Sequence, residues 1–274
     1  MYVVLAILIG FAASVLSGMF GIGGSALTTP AIRLLLDASP AIALGTPLPV
    51  TIPTAAAGAI TYARRGLVDR RVALWSMAAG LPGAALGALL TRWLNLHYLM
   101  LATGAVILYL AFETARRGIR GGPPLDEKVD SVEAGERDDA GGRPSAPGPG
   151  HVVPLSLATG LAAGLFSGLL GVGGGLVLIP GFLYLLKMPL KKVFGTSLAV
   201  IVVIAIPGTV VHSLLHHVKW TLAFYLTIGA IPGAILGARI TIRTGERALY
   251  LMFASLLAVF GVLFIVNEII SMVG

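Results

Sequence analysis

The chain repeats itself at an offset of 150 residues, and the register needs no gap. Ser17-Gly18-Met19-Phe20-Gly21-Ile22-Gly23-Gly24 returns as Ser167-Gly168-Leu169-Leu170-Gly171-Val172-Gly173-Gly174. Pro30 returns as Pro180, Gly45-Thr46 as Gly195-Thr196, and Gly58 as Gly208. Pro82-Gly83-Ala84 with Gly87-Ala88 returns as Pro232-Gly233-Ala234 with Gly237-Ala238. Two hydrophobic copies, each broken by glycine near its start, are the pattern of a membrane carrier whose site lies at the breaks.

Composition sets the solvent. Only 11% of residues are charged and 57% are hydrophobic, where a soluble domain carries roughly 25% charged residues. Apolar runs such as 72–90 and 248–266 fill most of the sequence outside residues 116–151. An all-α polytopic membrane protein follows, because spanning backbone must satisfy its own polar groups. The short alternating segments of a membrane β-barrel are missing. Without cysteine there is no disulfide and no thiolate metal site. Met1-Tyr2-Val3-Val4-Leu5 has no basic stretch before the first apolar run, so that run is expected to belong to the mature protein. The net charge of +7 comes from bases scattered in short loops, which argues for a lipid bilayer rather than nucleic acid as the partner.

Residues 118–151 interrupt this pattern. Gly121-Gly122-Pro123-Pro124 opens the stretch, acidic residues follow, and Pro147-Gly148-Pro149-Gly150 closes it. Such a segment cannot bury apolar surface, and it reads as a disordered acidic Pro/Gly-rich linker. It joins a first membrane repeat, residues 1–117, to a second, residues 152–274. Each repeat shows four apolar blocks. The first block of each runs to about 35 residues, although about 20 suffice to cross a bilayer. It is either one long broken helix or a helical hairpin that enters and returns on the same side.

The bases separate these alternatives. If each first block crosses once, the repeats run parallel and the loop bases divide eight against eight. If each is a hairpin, the repeats are inverted. Arg64, Arg65, Arg70, Arg71, Arg116, Arg117, Arg120, Lys187, Lys191, Lys192, Arg239, Arg243 and Arg247 then share one face, and only Arg33, Arg92 and Lys219 lie opposite. Thirteen against three is the bias expected of a cytoplasmic face. The expected fold is therefore two inverted repeats, each a re-entrant broken-helix hairpin followed by three spanning helices. Both termini are expected outside the cell, the linker in the cytoplasm, and the protein in the inner membrane.

Each hairpin leg, for example residues 3–17, reaches about 22 Å, which puts the glycine tips inside the membrane. Irregular backbone survives there only if protein covers it or it lines a polar cavity. The returning helices point their N-termini at the tips, which suits an anion. The incoming legs leave carbonyls there too, which suits a cation; the anion reading is favoured. Candidate ligand-binding residues are Gly21, Gly23, Gly24, Ser25 and Thr46 in the first repeat. The second contributes Gly171, Gly173, Gly174, Gly175, Thr196 and Ser197. Gly83, Gly87, Gly233 and Gly237, spaced by four, instead suit close helix packing. His212 and His216 have metal-like spacing but no visible third ligand, so no metal or other cofactor is expected.

Gly-x-Gly-Gly-x-x-x-x-x-Pro early in each half resembles the TauE/SafE sulfite exporter family, also called toluene sulfonate uptake permeases. Both halves carry the resemblance, over residues 1–115 and 152–270. The copy from Gly171 to Pro180, followed by Phe194-Gly195-Thr196-Ser197, is the more typical. The first copy departs with Ser25 in place of the third glycine and Pro47 after Gly45-Thr46, which implies an asymmetric site. Membership implies transport of small sulfur-containing anions, sulfite or organosulfonates. The expectation is a secondary transporter, an exporter working by alternating access. An anion channel and a permease for a different small anion stand as alternatives, and a homo-oligomeric state stays open. No Walker-type phosphate loop is present, and the hydroxyls have no catalytic partner, so no enzyme is expected.

The linker reading carries a test. Replacing residues 121–150 with a flexible spacer should leave expression and transport near wild type. A folded protein that no longer transports would make the acidic run regulatory.

Overall fold

The computed structural model describes residues 2–36, 38–90, 109, 112, 115–116, 149–170 and 173–273. Its elements are helical: α1 (Tyr2–Phe20), α2 (Ser25–Leu35), α3 (Pro40–Gly45), α4 (Pro47–Ala63) and α5 (Arg70–Leu90) in the first repeat. The second repeat has α6 (Pro149–Leu170), α7 (Gly175–Pro180, widening into a π-helical turn over Gly181–Leu185), α8 (Leu190–Leu214), α9 (Trp220–Arg243) and α10 (Glu246–Val273). Most of the expected fourth block of the first repeat, and linker residues 118–148, lie outside the described residues. α6 begins at Pro149, inside the stretch assigned to the linker.

Five of the described helices are long and apolar enough to cross a membrane: Tyr2–Phe20, Arg70–Leu90, His151–Leu169, Leu190–Leu214 and Trp220–Arg243. Their outer faces demand hydrocarbon. Trp220, Phe224, Ile228 and Ile231 form one exposed stripe along α9, and Leu74, Leu81 and Leu89 do the same on α5. Inside, the buried polar side chains among the described residues are serines, threonines and the hydroxyl of Tyr62. The protein is an all-helical, multi-pass membrane protein.

Glycine decides which helices touch. α1 lies along α9, and a Cβ on Gly10, Gly18, Gly229, Gly233 or Gly237 would strike a carbonyl of the facing helix. α5 lies along α6 in the same way, through Gly80, Gly83, Gly87, Gly160, Gly164 and Gly168. The contacts are copies of each other: Gly10 faces Leu226 as Gly160 faces Ser76, and Gly233 faces Phe11 as Gly83 faces Leu161. The small-residue packing expected of Gly83, Gly87, Gly233 and Gly237 is what the helices use. Ile7 meets Gly229, Phe11 meets Gly233 and Val15 meets Gly237, so α1 and α9 run parallel.

The central pair runs the other way. Gly58 packs on Leu198 and Gly208 on Leu48, while Gly195 abuts Tyr62 and Gly45 abuts His217. α4 and α8 are therefore antiparallel, and their ends at Ala63 and Leu214 lie at opposite ends of the bundle. In each repeat the first helix is followed by a shorter return. Ile32 of α2 packs with Ala6 and Ile9 near the start of α1. Gly181 abuts Thr159, eleven residues before the end of α6.

The outgoing legs are longer than the sequence spacing suggests. α1 has 19 residues and α6 has 22, or about 28 and 33 Å at 1.5 Å per residue. The helix does not stop at the first glycine: Gly18, Met19 and Phe20 continue it, because Gly18 is a packing surface rather than a break. Phe20 then sits against Phe194 and Phe253, at centroid distances of 6.0 and 5.7 Å.

The glycine contacts predict a contrast in stability. Gly237→Ala or Gly164→Ala puts a methyl into a facing carbonyl and should cost about 1–3 kcal/mol. Gly208→Ala meets Leu48 at an ordinary 3.5 Å and removes a helix-interior glycine, worth about 1 kcal/mol in its favour. Melting temperatures of the detergent-purified variants should fall for the first two and hold or rise for the third.

Candidate functional site

The two glycine breaks meet midway along the antiparallel α4–α8 pair. An added Cβ on Gly23 would lie 3.3 Å from Ile201 and 3.6 Å from Thr51. One on Gly173 would lie 3.8 Å from the same two residues and 3.0 Å from Ser25 Oγ. Gly175 rests against the Ile22 carbonyl. Thus Gly23 and Ser25 come together with Gly173, and Ile22 with Gly175; Gly21 lies against Phe194 and Ser197, Gly24 against Thr51 and Thr54, and Gly174 against Ile204 and Ala163, while Gly171 lies outside the described residues. Gly23 and Gly173 have φ of +89° and +80°, a left-handed backbone that glycine adopts without cost.

The carbonyls at the end of α1 are already taken. Tyr62 Oη donates to the Gly18 and Met19 carbonyls at 3.0 and 3.1 Å. Thr241 Oγ1 donates to Met19 at 2.8 Å. Ser197 Oγ donates to the Gly21 carbonyl at 2.8 Å, so this predicted ligand holds the tip from behind. A bound cation would have to displace these donors.

The N-terminus of α2 is in the opposite condition. Its cap, Gly24, supplies no side-chain acceptor, and a helix leaves its first N–H groups without intrahelical partners. Thr51 Oγ1 reaches across from α4 to accept from the Ser25 N–H at 3.0 Å. That same hydroxyl donates to the Pro47 carbonyl at 3.0 Å. Ser25 Oγ is fully buried and has no partner. A free hydroxyl beside the positive end of a helix is chemically suited to a small anion.

Thr46 and Thr196 are elsewhere. Thr46 Oγ1 accepts from the Lys219 N–H at 3.1 Å, and Thr196 Oγ1 from the Asp69 N–H at 3.0 Å. Each latches a loop of the opposite repeat, Thr46 the one before α9 and Thr196 the one before α5. His212 pairs with His217 rather than His216, the two Nδ1 atoms standing 3.4 Å apart. The sequence reading missed Thr51, Thr54, Ile201 and Ile204. Their signal was a mismatch between the copies, since Thr51 and Thr54 align with Ile201 and Ile204.

Aligned tip glycines also differ in backbone. Gly24 is right-handed at φ −59°, and its nearest neighbours are Thr51 and Thr54 at 3.6 Å or more. Gly174 is left-handed at φ +72°, with Ala163 O 2.8 Å from a Cβ placed there. Gly24→Ala should therefore fold with a near-normal melting temperature. Gly174→Ala should lose about 1–2 kcal/mol from the left-handed strain alone, read as a melting temperature several degrees lower.

Comparison with known proteins agrees with this architecture. The family described as "Sulfite exporter TauE/SafE" matches residues 6–264. "Probable membrane transporter protein YunE" of Bacillus subtilis (strain 168) is 24% identical, covering 98% of this chain and 99% of its own length. YjnA of the same organism, printed with the same description, is 25% identical over 93% of this chain and 96% of its own. A "Probable membrane transporter protein" of Xylella fastidiosa (strain 9a5c) is 27% identical over 86% and 82%. No solved structure matches. The match spans both repeats and the glycine tips between them, and the chain belongs to the TauE/SafE sulfite exporter family of membrane transporters.

Proposed function

We propose that the protein is a secondary transporter that exports a small sulfur-containing anion, sulfite or an organosulfonate, by alternating access between two inverted repeats. The antiparallel run of α4 against α8 carries the topology. Parallel repeats would send these equivalent helices in one direction. Inverted repeats send them in opposite directions, as the thirteen-to-three division of bases also requires. The return of α2 beside α1, and of α7 beside α6, supports two re-entrant hairpins entering from opposite faces. Each is a nearly full-length helix followed by a half-length return.

The substrate class rests on the family and on the tip chemistry. The α1 carbonyls are occupied, the α2 N-terminus is open, and the described buried polar groups are neutral hydroxyls. In this reading Gly23, Gly24 and Ser25 approach the anion directly, and Gly173 and Gly174 close the far side. Thr46, Thr196 and Ser197 hold the frame in which the tips meet. The lipid bilayer is the surrounding partner, and both termini lie outside the cell.

The cysteine-free chain makes the topology easy to read. Arg65→Cys and Leu215→Cys, both at exposed positions, should be labelled from opposite faces of the membrane. Labelling from the same face excludes inverted repeats. In proteoliposomes, internal sulfite or sulfoacetate should accelerate uptake of the labelled anion, with saturation. Anion conductance without such counter-flow would establish a channel instead.

A further inference from the structure

The turns that follow α4 and α8 are copies in backbone and unlike in chemistry. The Leu67 N–H donates to the Tyr62 carbonyl at 3.1 Å, and its copy, the His217 N–H, donates to the His212 carbonyl at 3.0 Å. Both turns need a left-handed residue, Gly66 at φ +69° in the first and His216 at φ +60° in the second. Glycine takes that backbone freely, whereas a histidine is strained in it. The first loop is also capped, since Asp69 Oδ1 accepts from the Val72 N–H at 3.0 Å at the start of α5. Lys219 stands in that place in the second repeat, and α9 has no side-chain cap.

A pair of imidazoles closes the second turn instead. His212 and His217 are half-buried, with their Nδ1 atoms 3.4 Å apart. The equivalent residues of the first turn cannot pair in this way, because Tyr62 Oη is engaged with the α1 carbonyls and Leu67 has no polar side-chain atom. One proton between the two nitrogens makes an N–H···N bond. A proton on each sets two donors and two positive charges against each other. Nothing described around the pair offsets a second charge: His216 is exposed, Lys219 holds its Nζ over the Tyr2 ring of α1, and α3 and the first turn of α4 carry no charged residue. His217 also bears the packing of this loop. Gly45 rests on its carbonyl and Cβ, and two residues later the Lys219 N–H is taken by Thr46 Oγ1.

We propose that His212 and His217 form a proton-binding site that unlatches this end of the frame in acid. With one proton the pair holds the loop against Gly45 and Thr46. A second proton drives the rings apart, and the strained turn at His216 lets the loop go. The mirror latch, Thr196 on the Asp69 N–H, has a cap and no histidine pair, so it keeps its hold. Released histidines take up protons near their ordinary value of about 6.5, and the form that binds more protons gains as pH falls. The stability supplied by the pair is therefore full above that value and lost below it. The latch works in this way whatever ligand the glycine tips hold.

The test compares the purified full-length protein with the double variant His212→Tyr/His217→Leu, which installs the first repeat's side chains in the same turn. Between about pH 8 and about pH 5, the range in which histidine titrates, the wild-type melting temperature should fall several degrees further than that of the variant. Amide hydrogen exchange on the wild type gives a local reading with its own control. After correction for the intrinsic pH dependence of exchange, Lys219 should lose protection roughly tenfold or more over that range, while Asp69 keeps its protection. Equal melting shifts in the two proteins, or equal losses at Lys219 and Asp69, overturn the proposal. If the double variant does not fold, the exchange comparison decides alone. His216→Gly should raise the melting temperature at both pH values and leave the acid-dependent fall in place. A fall abolished by that substitution alone assigns the proton to His216 and also overturns the proposal.

Discussion

Backbone contact through glycine is the constraint on which the bundle depends. In hydrocarbon, apolar side chains gain nothing by leaving lipid, so helices must gain by close van der Waals approach. Here that approach is made between repeats rather than within them. α1 of the first repeat is seated on α9 of the second, and α6 of the second on α5 of the first. The described glycines that α1 and α6 bring to these contacts all face the other repeat. The central α4–α8 pair and the Thr46 and Thr196 latches extend the same exchange. The two halves fold as an interlocked pair, although each carries a complete copy of the pattern.

That interlock sets the polar problem at the tips. α1 ends inside the bundle, and buried carbonyls left unpaired would cost about 1–3 kcal/mol each. Tyr62, Thr241 and Ser197 answer it with hydroxyls drawn from three other helices. At the opposite terminus, the start of α2, the Ser25 N–H is taken by Thr51 Oγ1, and Gly24 offers no side-chain acceptor to the N–H groups that follow. In the proposed reading that imbalance favours an anion over a cation.

The sequence made the scaffold legible and left the site half hidden. Fold class, the repeat and the packing glycines were readable because glycine at spacing four, inside apolar runs, has few other uses. The convergence of Gly23 and Ser25 with Gly173 followed from the same breaks. Both repeats keep Thr46 and Thr196, and each latches a loop of the opposite repeat, a shared task that repetition alone does not distinguish from ligand binding. Ser197 is as ambiguous, since a hydroxyl beside a tip can hold its carbonyl as readily as a ligand. The leg length was underestimated because Gly18 looked like a helix end, and only its contact with Ala234 shows it to be a packing surface. Thr51 and Ile201 escaped because reading the repeats together rewards agreement, and these two disagree.

Disagreement at the centre of a symmetric frame has a mechanical meaning. If the proposed inversion holds, an exact two-fold frame offers two equivalent arrangements, one open to each side, close in energy without a ligand. Substituting Ser25 for glycine and Thr51 for isoleucine on one side leaves the glycine contacts of the frame untouched. The helix contacts and the unlike tip residues are separate sets: the first keep the likeness of the repeats, and Ser25 and Thr51 against Gly175 and Ile201 depart from it.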